Sequence, residues 1–356
     1  MPATIYFLCP DDNEPYGGVR VMYRFVDTLN SSGVSASVVH SSRSFRCTWF
    51  ENETRVTSAR DVRLVTGDLV VMPEWYRDNI SKIAPGVANL VFNQNAYETF
   101  TGLKLTPGEL DTVVSPDTLG IVVVSEDNRK YVEMCFPTLR VDRVKLGIDT
   151  ALFREADEGK TKSIAFMPRK RRKELNQILH VLNRRGSLKD WELLPIEGLT
   201  EKETARVLGR ASIFLSLNER EGFGLPSLEA MASGCLVVGF HGGAGSEYMR
   251  PGAAIPIADG EIRDFVVELE SLLSRWGNDE SLLAMSKNAV ELVKREYSRE
   301  AERRDVIAVF GGALERAASL VPRQSTLNHA LLRTLGRRWK RLAKRLVVAS
   351  GVTSRT

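Results

Sequence analysis

At 356 residues, 43% hydrophobic, 26% charged and with a formal net charge of +4, the chain exceeds one ordinary core and predicts two domains of roughly 150 residues each plus a tail. No apolar run approaches the roughly 20 residues that span a bilayer, and Met1-Pro2-Ala3-Thr4 lacks the basic region and cleavage site of a secretory signal. Cys9, Cys47, Cys135 and Cys235 lie far apart with no C-x-x-C pair and no nearby histidine cluster, which argues against a zinc site or a disulfide framework and fits a reducing cytoplasm.

The first elements read as a strand at Ile5-Tyr6-Phe7-Leu8, a polar Gly/Pro loop from Asp11 to Gly18, a helix from Val19 to Leu29, and a second strand at Ser37-Val38-Val39. Apolar runs follow at Leu69 to Met72, Leu90 to Phe92 and Ile121 to Val124. Each ends in a polar loop, as parallel strands buried on both faces do. The stretch Arg143 to Asp149 closes this half, and the polar stretch Arg154 to Lys162 reads as a linker. A second series of strands is expected at Ser163 to Phe166, Trp191 to Leu194, Ile213 to Ser216 and Leu236 to Gly239. Residues 262 to 320 are amphipathic and charged and are expected to brace the second half as helices. The expected division is 1–155, 156–320 and a basic tail at 321–356.

After the strand ending near Leu217 comes Asn218-Glu219-Arg220-Glu221-Gly222-Phe223-Gly224-Leu225-Pro226-Ser227-Leu228-Glu229, running on to Gly234. Pro226 suits a first helical turn and Gly234 a helix end. The segment therefore predicts a strand, a glycine loop and a helix start at the carboxyl end of a parallel sheet, where ligands bind. Gly222 and Gly224 permit close backbone approach, and the helix start offers N–H groups to phosphate oxygens. Glu221 in the loop and Glu229 about one turn into the helix place two carboxylates to accept hydrogen bonds from sugar and ribose hydroxyls. Two glutamates at this spacing are weak evidence alone; the strand, glycines and proline around them give them meaning.

The segment resembles the E-x7-E motif of retaining glycosyltransferases with the GT-B fold, especially glycosyltransferase family 4 (group 1 type). The resemblance extends to Gly17-Gly18 after the first strand, to Leu146-Gly147-Ile148-Asp149 with Phe153, and to Gly234 through Glu247. It implies an α/β GT-B architecture, two Rossmann-like doubly wound domains facing a central cleft, the first on the acceptor side and the second on the donor side. It implies further that Glu229 holds ribose hydroxyls, that Glu221 contacts the donor sugar as the catalytic residue, and that the backbone at Gly222, Phe223, Gly224 and Leu225 meets phosphate and sugar. The turn His241-Gly242-Gly243-Ala244-Gly245-Ser246-Glu247 resembles that of bacterial rhamnosyltransferases acting on cell-surface polysaccharides.

Departure of a nucleoside diphosphate leaves negative charge that a metal or basic side chains can neutralise. No D-x-D triplet occurs in the chain, whereas Arg169-Lys170-Arg171-Arg172-Lys173 follows a predicted strand. The family pattern favours Arg169 with Lys173, Lys170 being the alternate and the rest of the run surface charge. No metal and no organic cofactor is expected.

On the acceptor side, Gly18 is a candidate for the donor diphosphate, and Asn93, Gln94 and Asn95 are candidates for sugar hydroxyls. Their amides cannot act as a general base. Many relatives carry a histidine in this half, but His40, His180, His241 and His329 match no such position. Arg20, Glu74 and Asp12 are further candidates, each also readable as a surface or loop charge. In the tail, Leu331, Leu332, Leu335, Trp339, Leu342 and Leu346 recur at helical spacing among Arg333, Arg337, Arg338, Lys340, Arg341, Lys344 and Arg345. This predicts a basic amphipathic helix over 331–348 that either lies on an anionic membrane or docks on the protein. The expected partners are a nucleotide-diphosphate sugar and a glycan or lipid-linked acceptor, with no nucleic acid, and the expected location is cytoplasmic, at the inner membrane face if the tail binds lipid. The alternatives are an epimerase or phosphorylase on the same fold, or a non-catalytic binder of nucleotide sugars or polyanions.

Overall fold

The computed structural model describes residues 3–103, 113–319 and 326–336, which form two compact units. The first holds the described residues up to Lys145 and from Glu302 on, and the second holds Leu146–Ala301.

The strands of the first unit are β1 (Ile5–Leu8), β2 (Ala36–His40), β3 (Val56–Ser58), β4 (Leu69–Pro73), β5 (Asn89–Asn93), β6 (Thr118–Val123) and β7 (Val141–Arg143), and its early helices are α1 (Gly17–Ser31), α2 (Ile80–Ile83) and α3 (Glu126–Cys135). Among the described residues they make one parallel sheet in the order β3-β2-β1-β4-β5-β6-β7. Every residue of β2, β4 and β5 is buried, as unbroken apolar runs covered on both faces require.

The second unit contains β8 (Thr161–Phe166), α4 (Arg172–Arg184), β9 (Glu192–Pro195), α5 (Glu201–Arg210), β10 (Ala211–Leu217), α6 (Leu225–Ala232), β11 (Leu236–Phe240), β12 (Ile255–Ile257), α7 (Ile262–Arg275) and α8 (Glu280–Glu296). Its strands are also parallel, in the order β12-β11-β10-β8-β9. Isoleucine, leucine and phenylalanine side chains of β8, β10 and β11 meet Leu175 and Ile178 of α4 and Phe265 and Leu269 of α7 in one core.

Two boundaries differ from the sequence expectation. The second unit starts at Leu146 rather than near 156, because Ile148 N–H donates to the Tyr297 carbonyl at 2.8 Å and Gly147 lies so close to Ser298 that a Cβ would stand 2.5 Å from its carbonyl oxygen. It also ends before residue 320. Helix α9 (Arg299–Ala318) delivers Phe310 to Phe7, Phe25 and Phe92 of the first unit, with ring centroids 5.1, 5.8 and 6.3 Å apart. Glu302, 2% exposed, pairs there with Arg24. Burying a phenylalanine is worth about 1.5–3 kcal/mol, enough to fix where this helix docks. Residues 329–336 are helical as well. They send Leu332 and Leu335, with Leu327 just before them, into the first unit's core. The rest of the basic helix expected over 331–348 lies outside the described residues.

Candidate active site

In the second sheet β8 and β10 are neighbours, with β9 beyond β8 and with β11 and β12 beyond β10. The winding therefore reverses between β8 and β10, and the carboxyl ends of these two strands flank the crevice where open α/β sheets bind ligands. The loop leaving β8 is the basic run from Arg169, and the loop leaving β10 carries Glu221. Topology thus brings the two predicted halves of a donor site together.

Glu221 is fixed by its backbone. Its N–H donates to the Gly242 carbonyl at 2.8 Å, and it forms an isolated parallel bridge with Gly243, so the loops after β10 and β11 are stitched together. Gly242 must be glycine-like, since its φ is +63° and a Cβ would stand 2.7 Å from the Asn218 Cβ. Beneath the loop, Ser216 Oγ donates to the Phe240 carbonyl at 2.7 Å and lies 3.0 Å from Ser227 Oγ, to which Asn218 Nδ2 also donates at 3.3 Å.

Gly224, at φ +83°, turns the chain into α6, with Pro226 in the first turn and no side-chain cap. The first N–H groups of a helix have no intrahelical acceptor and sit at the positive end of its dipole. An anion is the natural partner there. Glu229, one turn further in, is buried at 4% exposure. The predicted Gly222, Phe223, Gly224, Leu225 and Glu229 thus gather at one helix start with Glu221 just before it.

Tyr248 holds this start from below, and sequence reasoning missed it. Its hydroxyl hydrogen-bonds the carbonyls of Phe223 at 2.8 Å and Gly224 at 2.9 Å. Its ring belongs to a cluster with Phe223 and Tyr297, the centroids 5.8 to 6.0 Å apart. Burial pushes the phenol well above its usual pKa, which keeps it a hydroxyl donor. The only sequence signal was an aromatic residue just after the glycine turn.

The basic run divides by role. Lys170 forms an ion pair with Glu221. Arg171 takes the left-handed conformation at φ +47° as the residue preceding α4 and buries its guanidinium, 4.7 Å from the Phe240 ring centre, donating to the Asn218 carbonyl at 3.0 Å and pairing with Glu174 and Asp259. It braces the site floor. Arg169 and Lys173, the pair favoured from the sequence, are both exposed. Lys170 is therefore the cation that the structure joins to Glu221.

His241 opens the turn that follows β11. Its Nδ1 accepts from Gly243 N–H at 3.1 Å, which puts the proton of a neutral ring on Nε2.

In the first unit, Gly18 lies in the first turn of α1, and its carbonyl accepts from Gln94 Nε2 at 3.2 Å. Asn93 is buried and donates to Thr99 Oγ1 at 2.7 Å, and Asn95 caps a short 3-10 turn by accepting from Tyr97 N–H at 3.3 Å. These three amides shape the loop after β5. Arg20 stacks 5.9 Å from the Trp49 ring centre, and Asp12 is buried and accepts from Glu14 N–H at 3.1 Å.

Residues 196–292, spanning the loops around Glu221, Glu229 and Tyr248, match the family model described as Glycosyl transferases group 1. The chain is 25% identical over 328 residues to an alpha-1,6-glucosyltransferase of Actinobacillus pleuropneumoniae serotype 7 (strain AP76), across 88% of this chain and 96% of that protein. Sucrose-phosphate synthase from Thermosynechococcus elongatus has a similar structure, with a TM-score of 0.67 and 11% identity over 88% of this chain and 100% of that one. Anabaena HepE in complex with UDP-glucose gives a TM-score of 0.62 and 12% identity over 87% of this chain and 99% of that one. The fold is GT-B. The family-model match and the relative together support a glycosyltransferase.

Proposed function

We propose that the protein is a retaining, metal-independent glycosyltransferase that moves a hexose or deoxyhexose from a nucleoside-diphosphate sugar to a glycan or lipid-linked acceptor in cell-surface polysaccharide synthesis. One observation carries this reading: Glu221 and the buried Glu229 stand on either side of an uncapped helix start that a glycine in the left-handed region opens. Carboxylates that accept from hydroxyls, next to N–H groups that donate to an anion, match the two halves of a nucleotide sugar.

In this scheme the N–H groups from Phe223 to Leu225 take diphosphate oxygens, Glu229 the ribose hydroxyls and Glu221 the donor sugar. Lys170, with Arg169 and Lys173 on the same loop and helix start, offsets the charge that builds on the departing diphosphate. The acceptor oxygen bonds to the anomeric carbon on the face the diphosphate leaves. A donor phosphate oxygen takes the acceptor proton as the sugar–phosphate bond breaks. The glucosyltransferase relative and the UDP-glucose complex of HepE make UDP-glucose the first donor to try. The turn from His241 to Glu247 makes a deoxyhexose donor the second.

The test is transfer from a panel of nucleotide sugars, with and without a chelator, followed by NMR of the product's anomeric proton. Retention, indifference to the chelator, and a loss on the order of 10²-fold in kcat for Glu221→Gln are expected. Inversion of configuration would overturn the retaining mechanism, and loss of activity to the chelator would overturn metal independence.

A further inference from the structure

The first sheet has its own reversal point. Strands β1 and β4 are neighbours, with β2 and β3 on one side and β5 to β7 on the other, so the carboxyl ends of β1 and β4 are this unit's preferred ligand position. The chain leaving β1 runs to Gly17 and Gly18 at the start of α1. The residue that follows β4 is Glu74.

Glu74 is 8% exposed. Its Oε2 accepts from the backbone N–H of Gln94 at 3.2 Å, and the N–H groups of Glu74 itself and of Asn95 also favour its charged form. Gln94 in turn donates from Nε2 to the Gly18 carbonyl at 3.2 Å. A Cβ on Gly18 would stand 3.0 Å from both polar atoms of the Gln94 amide, so glycine and amide are in tight register. One line of contacts therefore runs from the end of β4, through the end of β5, to the first turn of α1.

A carboxylate suits this position for a definite reason. In its ionised form it accepts only, so several N–H groups can converge on it with no competing donor, whereas a carboxamide keeps an N–H₂ to turn toward one of them at every pH.

We infer that Glu74 is a positioning residue for the acceptor side: by collecting backbone N–H groups it sets the Gln94 loop, with the Gln94 amide held against the Gly18 turn, in the arrangement that presents the loop to the acceptor hydroxyl. This rests on the glycosyl-transfer reading above. It adds a residue that no motif assigns and that acts through its neighbours.

The test is a cycle of Glu74→Gln, Gln94→Ala and the double variant, in the full chain, with the donor and acceptor that the wild type uses. Each single variant is expected to lower kcat/KM for the acceptor at least tenfold, since misplacement of about 1 Å can cost on the order of 10²-fold. The donor KM, set chiefly by second-unit residues, is expected to move less than threefold. Because both changes break one line of contacts, the double variant is expected to be no worse than the worse single. Wild-type acceptor kcat/KM in Glu74→Gln, or losses that multiply in the double variant, would overturn the inference. If Glu74→Gln does not fold, Gln94→Ala alone decides: an unchanged acceptor kcat/KM overturns the line of contacts. A wild type that transfers from no donor would instead place the failure in the glycosyl-transfer reading.

Discussion

The hydroxyl of Tyr248 lies 2.9 Å from the carbonyl oxygen of Gly224, 24 positions earlier, and so ties the residue that opens α6 to the loop that follows β11. The bond fixes the helix start from the buried side, where Tyr248 is 0% exposed. Tyr248→Phe keeps the aromatic cluster but removes both hydrogen bonds. The expected cost is about 1–2 kcal/mol in chemical denaturation, together with a several-fold rise in donor KM.

Gly224→Ala acts on the same joint more severely. The new Cβ would stand 2.5 Å from the Tyr248 hydroxyl, on a backbone with φ at +83°. A folded protein with donor binding weakened more than tenfold is expected from calorimetric titration. Removing the hydroxyl should relieve part of the clash, so Gly224→Ala in a Tyr248→Phe background should bind donor better than Gly224→Ala alone. Equal binding by the two would refute the proposed steric cause.

Lys170 and Lys173 make a sharp comparison. Lys170 pairs with Glu221, whereas Lys173 is exposed in the first turn of α4. Lys170→Ala is expected to lower kcat by on the order of 10²-fold, the usual effect of losing one stabiliser of developing negative charge. Lys173→Ala should stay within a few-fold of wild type. The opposite ranking would restore the family spacing as the better guide to the phosphate cations.

These contrasts mark where the sequence was informative. Glu221, Gly224, Pro226 and Glu229 were legible because each answers a local demand: a left-handed turn, a helix start, a carboxylate one turn further in. The central strands were legible because burial on both faces leaves unbroken apolar runs. The edge strands β3, β7 and β12, of three residues each, are too short to show any pattern. The buried stripe of α9, Val306, Phe310, Ala313 and Ala317, showed that one face is covered but not which sheet covers it. Spacing favours Arg169 with Lys173 and leaves Lys170 as the alternate, and nothing local announces that Arg171 takes positive φ and buries its side chain or that Lys170 pairs with Glu221. Tyr248 reaches Gly224 only through tertiary packing.

Glu74 makes stability depend on pH in a particular direction. Burial is the main cause raising its pKa to about 7 from the ordinary 4.5, with the charge of Glu98 adding to it and the N–H groups of Glu74, Gln94 and Asn95 opposing it. A carboxyl whose pKa is higher folded than unfolded binds more protons in the native state between these values. Its contribution is therefore complete below about pH 4.5 and is lost as pH rises through 7. The expected loss is on the order of 3 kcal/mol. In urea melts between pH 4 and pH 8, Glu74→Gln should remove this slope and gain stability relative to wild type toward pH 8. A parallel pair of stability curves would show that Glu74 is not the group responsible.

The segment at 326–336 offers a last test, because its leucines could in principle face protein or lipid. Asn328 N–H donates to the Ile83 carbonyl at 2.8 Å, and Leu332 and Leu335, each 5% exposed, lie in the core with Ile83, Val87 and Val91. Buried leucines cost about 2–5 kcal/mol when cut back to alanine, whereas leucines resting on a bilayer would cost the lipid-free protein little. Leu335→Ala is therefore expected to shift the urea midpoint by a clear margin and to leave co-flotation with anionic vesicles as it is in wild type. Unchanged stability with lost flotation would show that these leucines face lipid, and the first unit's core would then have to close without them.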